Sequence, residues 1–475
     1  MKSKAVLISI FMMCAFVGAQ GFNSCEWVQH LGTPQRTGYS VCNGPEAPEV
    51  LWKVSIPGEF DTPFIVDDKV LILWKNPRGF VEAKVLLLDV LTGEILQDYY
   101  DPQLSRVFPL DDRIIGESGS YVYEVDLVSA TKTLLTVTPK KGSPLYPVVL
   151  SEKIVFPATP AVCLSTSDFD VVWSLKDVMM DPELDLFNLA GDEDILAFIM
   201  QDRLYVVDSS TGVLKWTSEP LTLALWVTFG KDTIYCGGRN LWAFDRNGSE
   251  IWHFIPDERI VSNIVLGLDG MYFADEGNNL YKIDIDGNLI WKTYWEVSPW
   301  YYKTHLIGAG DALYCIGNYG KPDLVARTCI SAYNMEDGNM IWDLEFGPSC
   351  YIKGSPATAE GILVIGNTNG ELIALASNPE LYKKQGDTFL SENLKDEAIN
   401  SYEKAAELYE KKGDTSRSQD VQERIHELED EPESSPPTTP PEPSAPIPFF
   451  AVILVAVLMG IPITYYLIKH KPKNG

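Results

Sequence analysis

From about residue 50 to residue 377, short apolar runs alternate with polar positions and break at turns rich in Gly, Asn and Asp, the pattern of half-buried strands joined by hairpins. The stretch LYVVDSSTGVLKW, Leu204 to Trp216, is representative. An alternating run ends on Asp208, Gly212 marks a tight turn, and a return strand carries Val213, Leu214 and Trp216. The same arrangement recurs as LWAFDRNGSEIW around Asp245, LYKIDIDGNLIW around Asp284 and ISAYNMEDGNMIW around Asn334, ending on Trp252, Trp291 and Trp342. Weaker copies surround Asp89 and Asp126, and a further one ends on Trp173. The last copy, GELIALAS, has no tryptophan.

The polar marks fall near positions 89, 126, 165, 208, 245, 284, 334 and 376, a spacing of about 40 residues with one longer interval. A period of about 40 carrying only strand signals predicts four-stranded propeller blades. Eight marks predict eight blades. Trp52, in EVLWKVSI, has no preceding mark and reads as the outer strand of the last blade, supplied from the N-terminal end to close the ring. Trp52, Trp173, Trp216, Trp252, Trp291 and Trp342 are then expected to pack each blade against its neighbour.

The pattern Asp-x-x-x-Gly-x-x-x-Trp and the GSPAT…EG…VIG…NG run resemble the quinoprotein-like (PQQ-like) propeller repeat, and WVQHLGTPQRTGYS, Trp27 to Ser40, is similar to the segment that precedes the first blade in that family. The resemblance covers residues 25–377. It implies a propeller and leaves function open, because the family includes enzymes and non-catalytic scaffolds.

Other features extend this picture outwards. Residues 1–19 have a Lys-bearing start, an apolar stretch and small residues at Val17-Gly18-Ala19, the form of a secretory signal peptide. The residues before Cys14 lack the small side chains of a lipoprotein site. Phe449 to Ile468 is an apolar segment long enough to span a bilayer as a helix, and Lys469, His470, Lys471 and Lys473 favour a cytoplasmic tail, residues 469–475. Residues 431–448 form a Pro-rich spacer. The expected location is therefore the cell membrane, single-pass, with the propeller outside.

Seven cysteines remain after signal removal, an odd number, and an outside location permits disulfides. Cys25 and Cys42 flank the leading segment and are the favoured pair, while Cys236 reads as a small core residue. The net charge of −28 argues against nucleic acid, whose phosphates need clustered Lys and Arg.

Between propeller and spacer the apolar period becomes helical. Residues 378–430 place Tyr382, Gly386, Phe389, Ala398, Tyr402 and Ala405 at the spacing that resembles a tetratricopeptide hairpin, with Gln385 where that family favours Leu, and a third helix follows. Leu381, Phe389, Ile399, Tyr402, Tyr409 and Ile425 exceed what three short helices hide. The module is expected to dock on the propeller, on a second copy, giving self-association, or on a partner.

No catalytic residue is identified. The chain has no Cys-Cys dipeptide and no matching calcium ligands, the features the resemblance would require of a quinone-dependent dehydrogenase. The DIDGN run at Asp284 occupies a turn position shared with other blades and reads as a turn rather than a calcium loop, although bound calcium or PQQ is compatible with the composition. The five histidines form no spaced metal pair, so no metal residues are assigned. The only glycosylation acceptor, Asn247-Gly248-Ser249, also satisfies a hairpin turn. The reading is a non-catalytic cell-surface scaffold with protein partners; the alternative is a quinoprotein-like sensor or PQQ-dependent dehydrogenase.

Overall fold

The computed structural model describes residues 25–76, 82–138, 146–158, 160–175, 187–295, 304–319, 327–347 and 350–430. The signal peptide, Pro-rich spacer, apolar span and basic tail read from the sequence lie outside these residues. Among the described residues no helix is long and apolar enough to cross a membrane.

Eight sheets follow one another along the chain, antiparallel within each blade, and Tyr39–Ser40 adds a short parallel strand to the first edge of the seventh. Blade 1 covers residues 59–100, blade 2 106–137, blade 3 148–174, blade 4 187–217, blade 5 226–254, blade 6 265–294 and blade 7 305–345. Blade 8 takes three strands from residues 357–376 and its outer strand, Val50–Ser55, from the other end of the chain. That strand pairs antiparallel with Glu371–Ala376, so the first and last parts of the ring share one sheet. An unclosed ring would leave two long strand edges unpaired.

The middle strands are buried on both faces, as in Ile195–Met200 and Ile362–Gly366, which explains their nearly continuous apolar runs. The outer strands alternate. In seven blades the last strand pair carries a β-bulge at one place, and in six of these the residue beyond it is tryptophan: Trp52 opposite Ala374, Trp173 opposite Cys163, Trp216 opposite Val206, Trp252 opposite Ala243, Trp291 opposite Lys282 and Trp342 opposite Ala332. Gln97 holds that position in blade 1. In blade 2 the bulge lies elsewhere, between Val122 and Tyr123. A bulge sharpens the local twist and re-aims the next side chain, here towards the neighbouring blade.

Three helices follow the last blade: α1 (Pro379–Ser391), α2 (Lys395–Lys411) and α3 (Thr415–Asp430). Asn378 starts α1, its side chain accepting from the Glu380 N–H, with Pro379 in the first turn. Gly386 lets α1 and α2 meet: a Cβ there would stand 2.7 Å from the Tyr402 ring.

Candidate interaction surface

The joints between blades are built from the repeated turn. Asp89 accepts from the N–H groups of Leu91 and Thr92, and Asp208, Asp245, Asp284 and Asn334 make equivalent bonds to their own turns. This folds a Gly against the tryptophan of the preceding blade. Gly93 has φ +73°, and a Cβ there would lie 2.7 Å from the Trp52 indole; Gly212, Gly248, Gly287 and Gly338 meet Trp173, Trp216, Trp252 and Trp291 in the same way. Each indole N–H also donates to a backbone carbonyl of the turn it covers: Trp52 to Val90 at 2.8 Å, Trp173 to Ser209 at 2.9 Å, Trp216 to Arg246 at 2.9 Å, Trp252 to Ile285 at 3.0 Å and Trp291 to Met335 at 3.2 Å. Trp342 donates instead to Pro45, because the turn it would meet is replaced by the incoming N-terminal chain.

That incoming chain is the least regular part of the propeller and the most widely connected. Trp27 bridges Ile65 of blade 1, and Gln29 clasps both backbone groups of Val149 in blade 3. Pro34, Gln35, Thr37, Gly38 and Ser40 then accept, in turn, from Gly191, Phe229, Leu266, Gly308 and Gly310 of blades 4 to 7. Residues 27–40 therefore circle the ring across the ends of the innermost strands, and the Cys25–Cys42 disulfide joins the two ends of this belt. Arg36 is its hub. Its guanidinium is buried and donates to the carbonyls of His30, Tyr146, Pro147 and Leu189, and burial pulls its pKa down to about 9. The leading segment thus bonds to the inner-strand ends of blades 4 to 7 and to blades 1 and 3.

Beneath the belt the ring of Tyr146 stacks on His30 at 5.2 Å, and its hydroxyl donates to Asp61 at 3.2 Å. Asp61 pairs with Lys75 at 2.8 Å, and Arg106 pairs with Glu117 at 2.9 Å. Burial pushes Asp61 up, but the Lys75 ammonium and its hydrogen bonds hold it below its ordinary value. Burial raises Glu117, with Arg106 offsetting only part, and raises Tyr146 well above the usual phenol range. In this cluster each carboxylate already faces a cation. Among the described residues no group of three or more His, Cys, Asp or Glu side chains is placed to hold a metal.

The helices clamp the closing seam. Gln385 on α1 donates to the carbonyls of Leu51, at 3.2 Å, and Leu91, at 2.7 Å, while accepting from Ser401 of α2 at 2.9 Å. Leu51 is the residue that the bulge leaves out of the blade 8 ladder, and Leu91 lies in the blade 1 turn beneath Trp52. One amide thus ties the closing strand, the first blade and both helices together. Tyr382 donates to Ala376, and Lys404, Lys411 and Lys412 pair with Glu49 and Glu46 just before the closing strand. Docking of α1 and α2 on the propeller is the arrangement observed. Ala398, Tyr402 and Ala405 are buried with Tyr382 and Gly386, and Phe389 is half-buried. Between α1 and the seam lies a cavity of about 210 Å³, floored by apolar residues including Ile65, Leu91, Ile362 and Leu381 and rimmed by carboxylates.

Two connections were not evident in the sequence. Arg36 lies within the Arg-Thr-Gly-Tyr-Ser motif, where only the resemblance marked it, and Gln385 was visible as a departure from Leu. The free cysteines Cys163, Cys236, Cys315, Cys329 and Cys350 are all buried.

The fold can be set beside solved structures. BamB from Moraxella catarrhalis superposes with a TM-score of 0.50 at 12% identity, over 69% of this chain and 99% of the BamB chain. Sqt1 from Saccharomyces cerevisiae gives a TM-score of 0.52 at 11% identity, over 70% of this chain and 99% of its own. No known sequence family matches the chain. No curated protein sequence matches it either. What these comparisons establish is that the chain has the propeller fold of BamB and Sqt1.

Proposed function

We propose that this protein is a non-catalytic protein-binding scaffold, a PQQ-like propeller with a tetratricopeptide-like clamp, held at the cell surface by the apolar segment 449–468. The observation that carries the reading is the belt. Small ligands favour concave apolar sites with a few convergent polar groups. Here the chain's own Gln29 and Arg36 are buried against blades 3 and 4, and the ionisable groups beneath the belt face one another. The chain carries a net charge of −28, which makes its solvated surface strongly acidic. Such a surface steers and selects basic protein partners. The location rests on the N-terminal signal pattern, the apolar span and the basic residues after it.

The experiment is crosslinking in native membranes followed by purification of the full-length chain. Discrete protein partners, lost at high ionic strength, are expected. Recovery of the chain alone, together with PQQ- and calcium-dependent dye reduction by an alcohol, would replace the scaffold with the dehydrogenase reading.

A further inference from the structure

The cavity at the closing seam has a composition that selects its occupant. Glu26, Asp67, Asp68 and Glu360 stand around it against a single lysine, Lys384. None of the four has an ion-pair partner among the described residues; the nearby Lys69 ammonium donates to the Asp67 carbonyl, not to its carboxylate. Asp67 and Asp68 form the two-residue turn between Phe64–Val66 and Lys69–Asn76, and Glu360 lies in the turn after Ala357–Ala359, so acidic turns of two adjacent blades line one space. Burial pushes the Glu26 carboxyl up, a hydrogen bond from the Asp67 N–H offsets part of this, and the charges of Asp67, Asp68 and Glu360 add to the rise. Like charges gathered around one cavity favour a cation among them.

We propose that this cavity receives one arginine or lysine side chain of a basic peptide segment on a partner protein. The apolar floor decides against a bare metal ion. Calcium takes six to eight oxygens at short range, whereas half of this lining is hydrocarbon, and no three of its carboxylates are grouped as metal ligands. A long basic side chain uses both parts, laying its methylene stem on Ile65, Leu91 and Leu381 and its charged head among the carboxylates. The volume, about 210 Å³, is below the range of small-molecule sites and suits one side chain. The cavity is also formed only when the ring is closed and α1 is seated, so it reports the assembled protein.

The inference rests on the scaffold reading for the class of partner, yet its test is separate. Full-length protein is titrated, by fluorescence anisotropy, with a labelled capped pentapeptide carrying one arginine between alanine and leucine residues. Saturable binding is expected. Replacing the arginine by citrulline, or the protein by an Asp67→Asn/Asp68→Asn/Glu360→Gln variant, should weaken binding at least about tenfold, as loss of charge-assisted hydrogen bonds does. The variant changes exposed turn residues, so its thermal melting should match that of the wild type and secure the comparison. Absence of saturable binding, equal affinity for the citrulline peptide, or unchanged affinity in the variant would each overturn the proposal. So would complete displacement of the peptide by millimolar calcium, which would make the cavity a metal site. Failure of the crosslinking experiment with success here would remove the scaffold reading and leave a basic-peptide pocket.

Discussion

The joints of blades 3 to 7 and of the seam differ in kind from those among blades 1, 2 and 3. In the first group an indole covers a glycine turn and donates to its carbonyl, so each joint combines close apolar packing with one satisfied donor. In the second group the tryptophan is absent. Gln97 stands in its place in blade 1, and the turn of blade 2 ends on Ala130 rather than glycine. Ions take over there: Lys132 reaches Asp101, Lys75 reaches both Asp61 and the Ser105 carbonyl, and Arg113 donates to Thr166 while lying 5.5 Å over Phe169. A single core nevertheless runs through blades 1 to 3, from Phe64 to Phe169. The comparison teaches that a propeller joint needs area and satisfied polar groups, and that two chemistries supply them. The ionic version carries a desolvation cost that the indole version avoids.

The sharpest test removes one joint of each kind. Trp52 is 6% exposed, and Trp52→Ala should cost about 3–5 kcal/mol, as other large-to-small core changes do. Gln97→Ala, at the matching position of blade 1, should stay within about 0.5 kcal/mol. Chemical denaturation of both variants measures the difference. Equal losses would mean that the indole joints are not the stronger ones.

The second test uses pH to single out the ionic region. Arg106→Met leaves Glu117 buried without its cation and should cost about 3 kcal/mol at neutral pH. A carboxyl whose folded pKa is raised binds its proton more tightly folded than unfolded. Its favourable contribution is complete below the unfolded value and is lost as pH rises through the folded one. The deficit of Arg106→Met should therefore be large at pH 7 and shrink towards pH 4, and Arg106→Met/Glu117→Met should restore most of it. Thermal melting across that pH range provides the measurement; a deficit independent of pH would remove Glu117 from the explanation.

A smaller effect is expected where the seam borrows from both designs. Gln385→Leu keeps the bulk preferred in tetratricopeptide hairpins but strips two buried carbonyls, Leu51 and Leu91, of a donor. A loss of about 1–3 kcal/mol should follow. Unchanged stability would show that water or a shift of α1 replaces the amide.

Much of this arrangement could be anticipated because it is periodic. The Asp, Gly and Trp of each repeat are close in sequence, and the alternation between them reports burial directly, so the blade number and the closing strand at Trp52 followed. The belt had no such signal. Residues 27–40 lack a period because they bond through backbone groups to blades more than 20 residues away, and most of that contact is invisible to side-chain pattern. Gln385 was conspicuous only as a misfit to a helical hairpin, since its partners, Leu51 and Leu91, lie roughly 300 positions earlier. Blade 2 is weak in the sequence for a physical reason as well: without Trp and Gly, its joints rely on single ion pairs that no spacing predicts.

The belt also dictates an order of events during synthesis. Its residues emerge from the ribosome before any blade, but their partners Gly191, Phe229, Leu266 and Gly308 emerge one after another over most of the chain's length. The closing strand, Val50–Ser55, waits longer still, for Glu371–Ala376, and Gln385 comes after that. A nascent chain can fold blades 3 to 6 as they appear, yet its beginning has nowhere to settle until its end is made. Contacts of such long sequence separation fold slowly and leave strand edges exposed meanwhile. The unfinished protein is thus an open arc with a loose leading segment, and its period of greatest vulnerability to aggregation ends only when the closing strand near its start meets the strand made near its end.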